Sequence, residues 1–466
     1  MPTGSLPPER GDEETPKPAS EPRRHTTALA AEVWNLAFPA FLTLLAEPLF
    51  LLADSAIIGH LGITPLAGLG VAGSILATAT GVYVFLAYAT TAVVARRIGA
   101  GRTAEAISGG IDGIWLAALL GIITGIAVAV AAEPLVAAFG ASPAATAEGT
   151  VYLRVSAAGI PAMLIVLALT GLLRGMQDTR TPLIASTVAF GSNVVLNVLF
   201  VYGVGMGIAG AALGTVIAQT GLAVGLGAVV LTQARRAHAS LRPAPGRILS
   251  AAAAGAPLLV RTLALRATLL LTTWVAARLG DVPVAAYQVS MTIWTFLAFA
   301  LDALAIAGQA LVGQALGSGD KEGTRELTRL LTRWSLWFGV VTGVITAVAA
   351  PFLPALFTSD PAVRGALTAG LFVIALAQPV AAYAFLLDGV LIGAGDGRWL
   401  AATQVGLFFA YIPVGLAVFA AREHLAAWGA PASLAVLWAG FSLFMAGRAL
   451  MLGRRARGER WMITGA

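Results

Sequence analysis

About a dozen apolar stretches of 18 residues or more follow one another along the chain, at roughly 29–59, 66–95, 107–138, 150–173, 181–203, 208–232, 249–278, 283–315, 334–357, 362–392, 399–421 and 427–452. A stretch of about 20 such residues is long enough to cross a bilayer, and inside the bilayer only helices and closed barrels satisfy their own backbone groups. Segments of this length and composition predict an all-α, multi-pass membrane protein with about twelve transmembrane helices. Charged residues make up only 11% of the 466, where soluble domains carry about 25%. The chain has no cysteine, which excludes disulfides and thiolate metal sites, and its four histidines lack ligand spacing. No nucleophile–base constellation appears either, so the chain does not read as an enzyme, and no cofactor is expected.

The net charge of +6 does not point to nucleic acid, because of where the basic residues fall. The loops after even-numbered stretches hold Arg96, Arg97, Arg102, Arg174, Arg180, Arg235, Arg236, Arg242, Arg247, Lys321, Arg325, Arg329, Arg333 and Arg398, whereas the other loops hold Arg278, Arg364 and Arg422. By the positive-inside rule both termini are cytoplasmic; the cytoplasmic (inner) membrane is the expected location, with membrane lipids as partners. Residues 1–28 are polar and Pro-rich and read as a disordered tail. A six-helix lobe follows over 29–235, then a linker over 236–248, a second lobe over 249–455 and a tail over 456–466.

The two lobes repeat. A shift of 218 residues carries Pro39 onto Pro257, Gly62 onto Gly280, Gly99 onto Gly317, Pro143 onto Pro361 and Pro161 onto Pro379. The same shift lays "RGMQDTR" (174–180) on "IGAGDGR" (392–398), matching glycine, aspartate and arginine. Six helices per repeat is an even number, so both halves share one orientation about an axis along the membrane normal. Transporters place substrate and ion sites between or within such repeats and work by rocking them. One soluble-protein motif fails on context: "GMGIAG" (205–210) fits GxGxxG but joins two apolar spans without a βαβ unit. Gly210 and Gly214 read instead as a close helix-packing face.

Within the first span, Asp54 is an acid in a run otherwise uncharged from Pro48 to Gly59. Inserting it near mid-bilayer costs about 2.5 kcal/mol or more, which makes it a functional candidate. A carboxyl group in apolar surroundings can take up and release a proton near working pH. Glu47 lies seven residues earlier on the same helical face.

"LLADSAIIGHLG", "LRGMQDTRTPL", "LDALAIAGQALVGQALGSGD" and "LLDGVLIGAGDGR" together resemble the multidrug and toxic compound extrusion (MATE) family, in particular its DinF-type branch, over nearly all of 29–455. The resemblance implies a V-shaped transporter of two six-helix repeats, acting as a monomer. Its implied activity is the export of cationic or amphipathic compounds against H⁺ or Na⁺. It also implies that Asp54 is the coupling acid, surrounded by Tyr152, Thr170, Asn193, Asn197 and Thr215. Thr170 stands where archaeal members have asparagine, and Asn197 where they have a second acid, which favours H⁺ over a firmly held Na⁺. Asn193 and Asn197 also read as interhelical hydrogen-bond glue.

Glu47 is a secondary candidate in the first lobe, as are Asp302 and Asp388 in the second. Helix seven supplies Arg261 and Arg266 rather than an acid, so Asp388 and Asp302 read as members of buried Arg–Asp pairs. A lipid or lipid-linked-sugar flippase is the alternative function, and an arginine-lined cleft would be its mark.

Overall fold

A computed structural model describes residues 22–140 and 142–465. The reading of residues 1–28 as a disordered tail lies outside these up to residue 21, and from Pro22 the chain is helical. The long helices are α1 (Pro22–Gly59), α2 (Ile63–Gly99), α3 (Thr103–Val130) and α4, which is split into Pro143–Ala157 and Ile160–Gly175. The first lobe closes with α5 (Arg180–Gly203) and α6 (Ile208–Arg236). The second lobe comprises α7 (Pro245–Arg278), α8 (Asp281–Gly317), α9 (Lys321–Ala349), α10 (Pro361–Gly393), α11 (Gly397–Ala420) and α12 (Ala430–Arg457). Among the described residues ten helices are long and apolar enough to cross a membrane, and the bent pair α4 makes eleven. The expected twelfth span is α1, in which Ala30–Leu45 is an apolar helix.

The repeat read from the sequence recurs in the packing. In the first lobe α1 packs on α5, α4 on α2, α3 and α6, and α5 on α6. The second lobe reproduces each pair, with α7 on α11, α10 on α8, α9 and α12, and α11 on α12. Glycines make the close approaches, because a Cβ would collide. A Cβ on Gly171 would stand 2.5 Å from the Ala87 carbonyl oxygen, and one on Gly389 2.3 Å from that of Ala305, the equivalent pair 218 residues on. The lobes meet where α2 crosses α8. There a Cβ on Gly99 would come 2.0 Å from the Gln314 carbonyl oxygen, and one on Gly317 2.0 Å from that of Arg96. These two contacts exchange under the same shift, so the pseudo-two-fold axis runs through this crossing.

Of the matched proline pairs inside spans, Pro39 and Pro257 act alike and Pro161 and Pro379 do not. Pro39 and Pro48 lie inside α1, Pro257 inside α7 and Pro379 inside α10. Pro161 instead opens the second half of α4, after a 50° bend at Gly159. Glycine two residues before a proline offers a break that the Ala377–Gln378–Pro379 sequence of α10 does not. The inter-lobe linker is docked on α3. Arg247 pairs with the buried Asp112 at 3.0 Å, and Trp115 Nε1 donates to the Leu241 carbonyl at 3.2 Å.

Candidate functional site

Asp54 lies in the last turns of α1 and is 2% exposed. Three helices bring donors to its carboxylate. Tyr152 of α4 donates its hydroxyl at 3.1 Å, Asn197 of α5 its amide at 2.5 Å, and Thr215 of α6 its hydroxyl at 3.3 Å. Asn193, one turn before Asn197, donates to Thr215 Oγ1 at 3.0 Å and exchanges longer bonds of 3.4 and 3.5 Å with Asn197. All these partners are neutral. Thr170 is buried on α4 but is not among the groups bonded to Asp54. The side chain of Glu47 lies outside the described residues.

Two local features hold this arrangement. After Asn197 the helix widens into a π turn over Leu199–Gly203, and there the Tyr202 hydroxyl donates to the Ile57 carbonyl of α1 at 2.5 Å. Such turns insert a residue and re-aim side chains. Opposite, Gly214 leaves room for the Asn197 amide, whose Oδ1 would be 2.0 Å from an added Cβ, and Gly210 packs against the Phe200 backbone. The glycine pair expected as a packing face therefore also shapes the Asp54 cage.

The second lobe is built on the opposite principle. Asp388 of α10 accepts from Arg261 of α7 through both of its oxygens, Nε lying at 3.0 Å, and from Arg448 of α12 at 3.1 Å. All three side chains are buried. Arg266 is exposed, and its guanidinium lies beside Gly81 of α2. Asp302 of α8 accepts from the Tyr88 hydroxyl of α2 at 3.1 Å, and the Arg261 guanidinium lies 6.0 Å from the Tyr88 ring. Arg174, buried at the end of α4, is within electrostatic reach of Asp302. Asp302 and Asp388 share the lining of one small cavity with Tyr88 and Gln309.

Arg448 and Tyr88, which were not picked out from the sequence, complete this network with Arg174, which was read as a loop cation but lies buried inside the last turn of α4. Arg448 could have been picked out, since it interrupts the apolar run "LFMAGRALML" much as Asp54 interrupts its own. Among the described residues no group of three or more His, Asp or Glu could hold a metal ion.

The matched loops end up in different roles. Asp178 caps α5, accepting from the Thr181 backbone N–H at 2.9 Å and from its hydroxyl. Asp396 instead binds Arg455 of α12 at 2.7 and 3.1 Å. Gln177 takes a left-handed φ of 62° where the second lobe has Gly395 at 78°, and its amide reaches Gln314 across the lobes at 2.5 Å.

A family model described as MatE matches residues 39–199 and again 257–417. Protein DETOXIFICATION 44, chloroplastic, of Arabidopsis thaliana is 31% identical over 93% of this chain and 83% of its own. DNA damage-inducible protein F of Escherichia coli is 31% identical over 78% of this chain and 80% of its own. In fold, the chain is similar to the Vibrio cholerae MATE transporter VcmN in its bent form, with a TM-score of 0.83 at 24% identity, over 95% of this chain and all of that one.

Proposed function

Because this chain belongs to the MATE family of transporters, we propose that it is a secondary active exporter that moves cationic or amphipathic compounds against H⁺ by alternating access, with Asp54 as the coupling acid. The observation that carries this reading is the contrast between the two buried aspartates. Asp388 is bonded to two guanidinium groups, an arrangement that suits a structural ion cluster. Among the described residues, Asp54 is bonded to a phenol, an amide and a hydroxyl. Hydroxyls accept as readily as they donate, so Tyr152 and Thr215 can serve the carboxylate and the carboxylic acid alike. Protonation then removes the one charge of the cage without leaving a buried cation behind.

A bare Na⁺ needs several oxygen ligands and net negative charge, and Asn197 brings an amide where a second acid would be required. A proton needs one carboxyl group. Substrate held in the cleft and a proton on Asp54 would oppose each other, and by linkage each weakens the other's binding equally. The protein would work in the cytoplasmic membrane with both termini inside, as the arginine distribution supports. Residues 29–235 and 249–455 would be the two rocking lobes.

A second reading has its own observation. Arg174, Arg261 and Arg448 are three buried cations facing two aspartates, an excess of positive charge that suits an anionic amphiphile such as a lipid-linked sugar. Efflux from proteoliposomes separates the readings. Dye export that follows an inward proton gradient at fixed Na⁺ supports the first. Transport that follows Na⁺ and ignores the proton gradient overturns H⁺ coupling, and movement of labelled anionic lipid without dye export supports the second.

A further inference from the structure

The groove between α1 and α5 has a chemistry that the export cycle does not use. A cavity of about 310 Å³ there is lined chiefly by Trp34, Phe38, Pro39, Arg180, Leu183 and Ile184. Trp34 and Phe38, one helical turn apart, stack with ring centroids 5.5 Å apart and planes at 15°, although they are 60% and 45% exposed. Arg180 stands at the end of this apolar groove as the first residue of α5. Asp178, two residues before it, is turned onto Thr181 and away from the groove. Below Arg180, at four-residue spacing, Ile184 and Val188 are 65% and 63% exposed. The groove is thus flanked by an exposed apolar strip of a membrane-spanning helix, a face suited to acyl chains. Its cation lies at the arginine-rich end of the bundle, at the depth of lipid phosphates.

The repeat supplies a contrast inside the same molecule. The shift of 218 carries Pro39 and Arg180 onto Pro257 and Arg398, but Trp34, Phe38, Leu183 and Ile184 onto Ala252, Ala256, Ala401 and Ala402. In the second lobe a Cβ on Gly397 would be in ordinary van der Waals contact with the Leu258 side chain, at 3.5 Å. Proline and arginine belong to the shared hinge, whereas the aromatic lining belongs to the first lobe alone.

We propose that this groove binds an anionic phospholipid, with an acyl chain along Trp34, Phe38 and Ile184 and the phosphate on the Arg180 guanidinium. The site lies on the kink of α1. Pro39 has no N–H for the Asn35 carbonyl, and the Thr179 hydroxyl from the α4–α5 turn donates to that carbonyl at 3.4 Å instead. A lipid seated across Trp34 and Arg180 therefore clamps the kinked helix that carries Asp54 to the loop that starts α5.

The test uses the purified full chain, with phosphatidylglycerol and phosphatidylcholine of identical acyl chains, and reads retained lipid by native mass spectrometry. Binding read this way is independent of the export assay. We expect phosphatidylglycerol to be retained over phosphatidylcholine by about fivefold, the effect of one basic residue near the phosphate layer. R180Q should bring the two to parity, R180K should keep the preference, and R398Q should leave it unchanged. W34A combined with F38A should lower retention of both lipids, and thermal unfolding of each variant checks its fold. Equal retention by the unmodified chain, or equal loss in R180Q and R398Q, would overturn the proposal. So would a cationic dye displacing neither lipid but labelling a photo-crosslinker at Phe38, which would assign the groove to substrate access.

Discussion

Asp54 and Asp388 are buried aspartates in apolar helices, and they differ in what their neighbours can do when a proton arrives. The Asp54 cage is neutral, so Asp54→Asn keeps size and hydrogen-bonding capacity while removing the exchangeable charge. Proteoliposomes with D54N should export dye no faster than empty vesicles under a proton gradient, with unfolding in detergent close to that of the unmodified chain. Normal export by D54N would refute its coupling role. Asp388 makes the opposite forecast. With an amide there, Arg261 and Arg448 would lose the carboxylate bonded to both, with only the more distant Asp302 left in the same cavity as a counter-charge, and breaking a buried pair in this way costs about 3–5 kcal/mol. D388N should therefore lose stability, visible as a marked fall in unfolding temperature, and R448M introduced alongside it should recover part of the loss. A D388N chain as stable as the parent but unable to transport would move Asp388 from the structural to the coupling role.

At the scale of helices, small residues decide how closely the elements approach. Between apolar helices in lipid there is no hydrophobic drive, and van der Waals fit at glycine carries the association. The crossing of α2 and α8 makes this testable, since Gly99 and Gly317 meet backbone oxygens that cannot move aside as a side-chain end could. Gly99→Ala and Gly317→Ala should each cost about 1–3 kcal/mol by overpacking, and by roughly equal amounts because the two contacts are related by the repeat. Gly73→Ala, with open space around it on α2, is the control and should be neutral or mildly stabilising. Chemical denaturation of the detergent-solubilised protein measures all three. Unequal effects at Gly99 and Gly317 would mean that the two lobes do not share the crossing evenly.

Over the whole molecule, the arginine-rich end is tied shut in this conformation. Arg96 of α2 donates to the Ala394 carbonyl beyond α10 and to the carbonyls of Ile463 at 2.8 Å and Gly465 at 2.6 Å. The Gly465 N–H returns to the Leu316 carbonyl of α8 at 3.1 Å, and Trp461 and Met462 are buried beneath this strap. If export proceeds by rocking, this end must open. Ala95 and Gly313 exchange under the repeat and so flank the axis, and a Cβ on Gly313 would lie 3.0 Å from the Ala95 Cβ. The chain has no cysteine of its own, so A95C with G313C should form a single disulfide between the lobes on oxidation. Oxidised protein should lose export and reduced protein regain it. Undiminished export with the crosslink formed would exclude opening at this crossing.

Much of this was legible from the order of amino acids. Stretch lengths matched to bilayer thickness gave the helices, because a backbone in hydrocarbon has few alternatives. The shift of 218 gave the two lobes, since proline, glycine and aspartate agree at fixed spacing only when geometry is shared. Asp54 stood out because an unpaired acid in an apolar helix is expensive. The partners of the second-lobe acids were not legible. Arg261 and Arg266 are five residues apart, which separates them by about 140° around a helix, and only Arg261 faces Asp388. The second guanidinium comes from Arg448 on α12, 60 residues beyond Asp388. Hydropathy cannot choose between such faces, because lipid tails and neighbouring helices are equally apolar. The rotation of each helix about its own axis is decided by glycine contacts and polar pairs between helices, and these exist only once the bundle has formed.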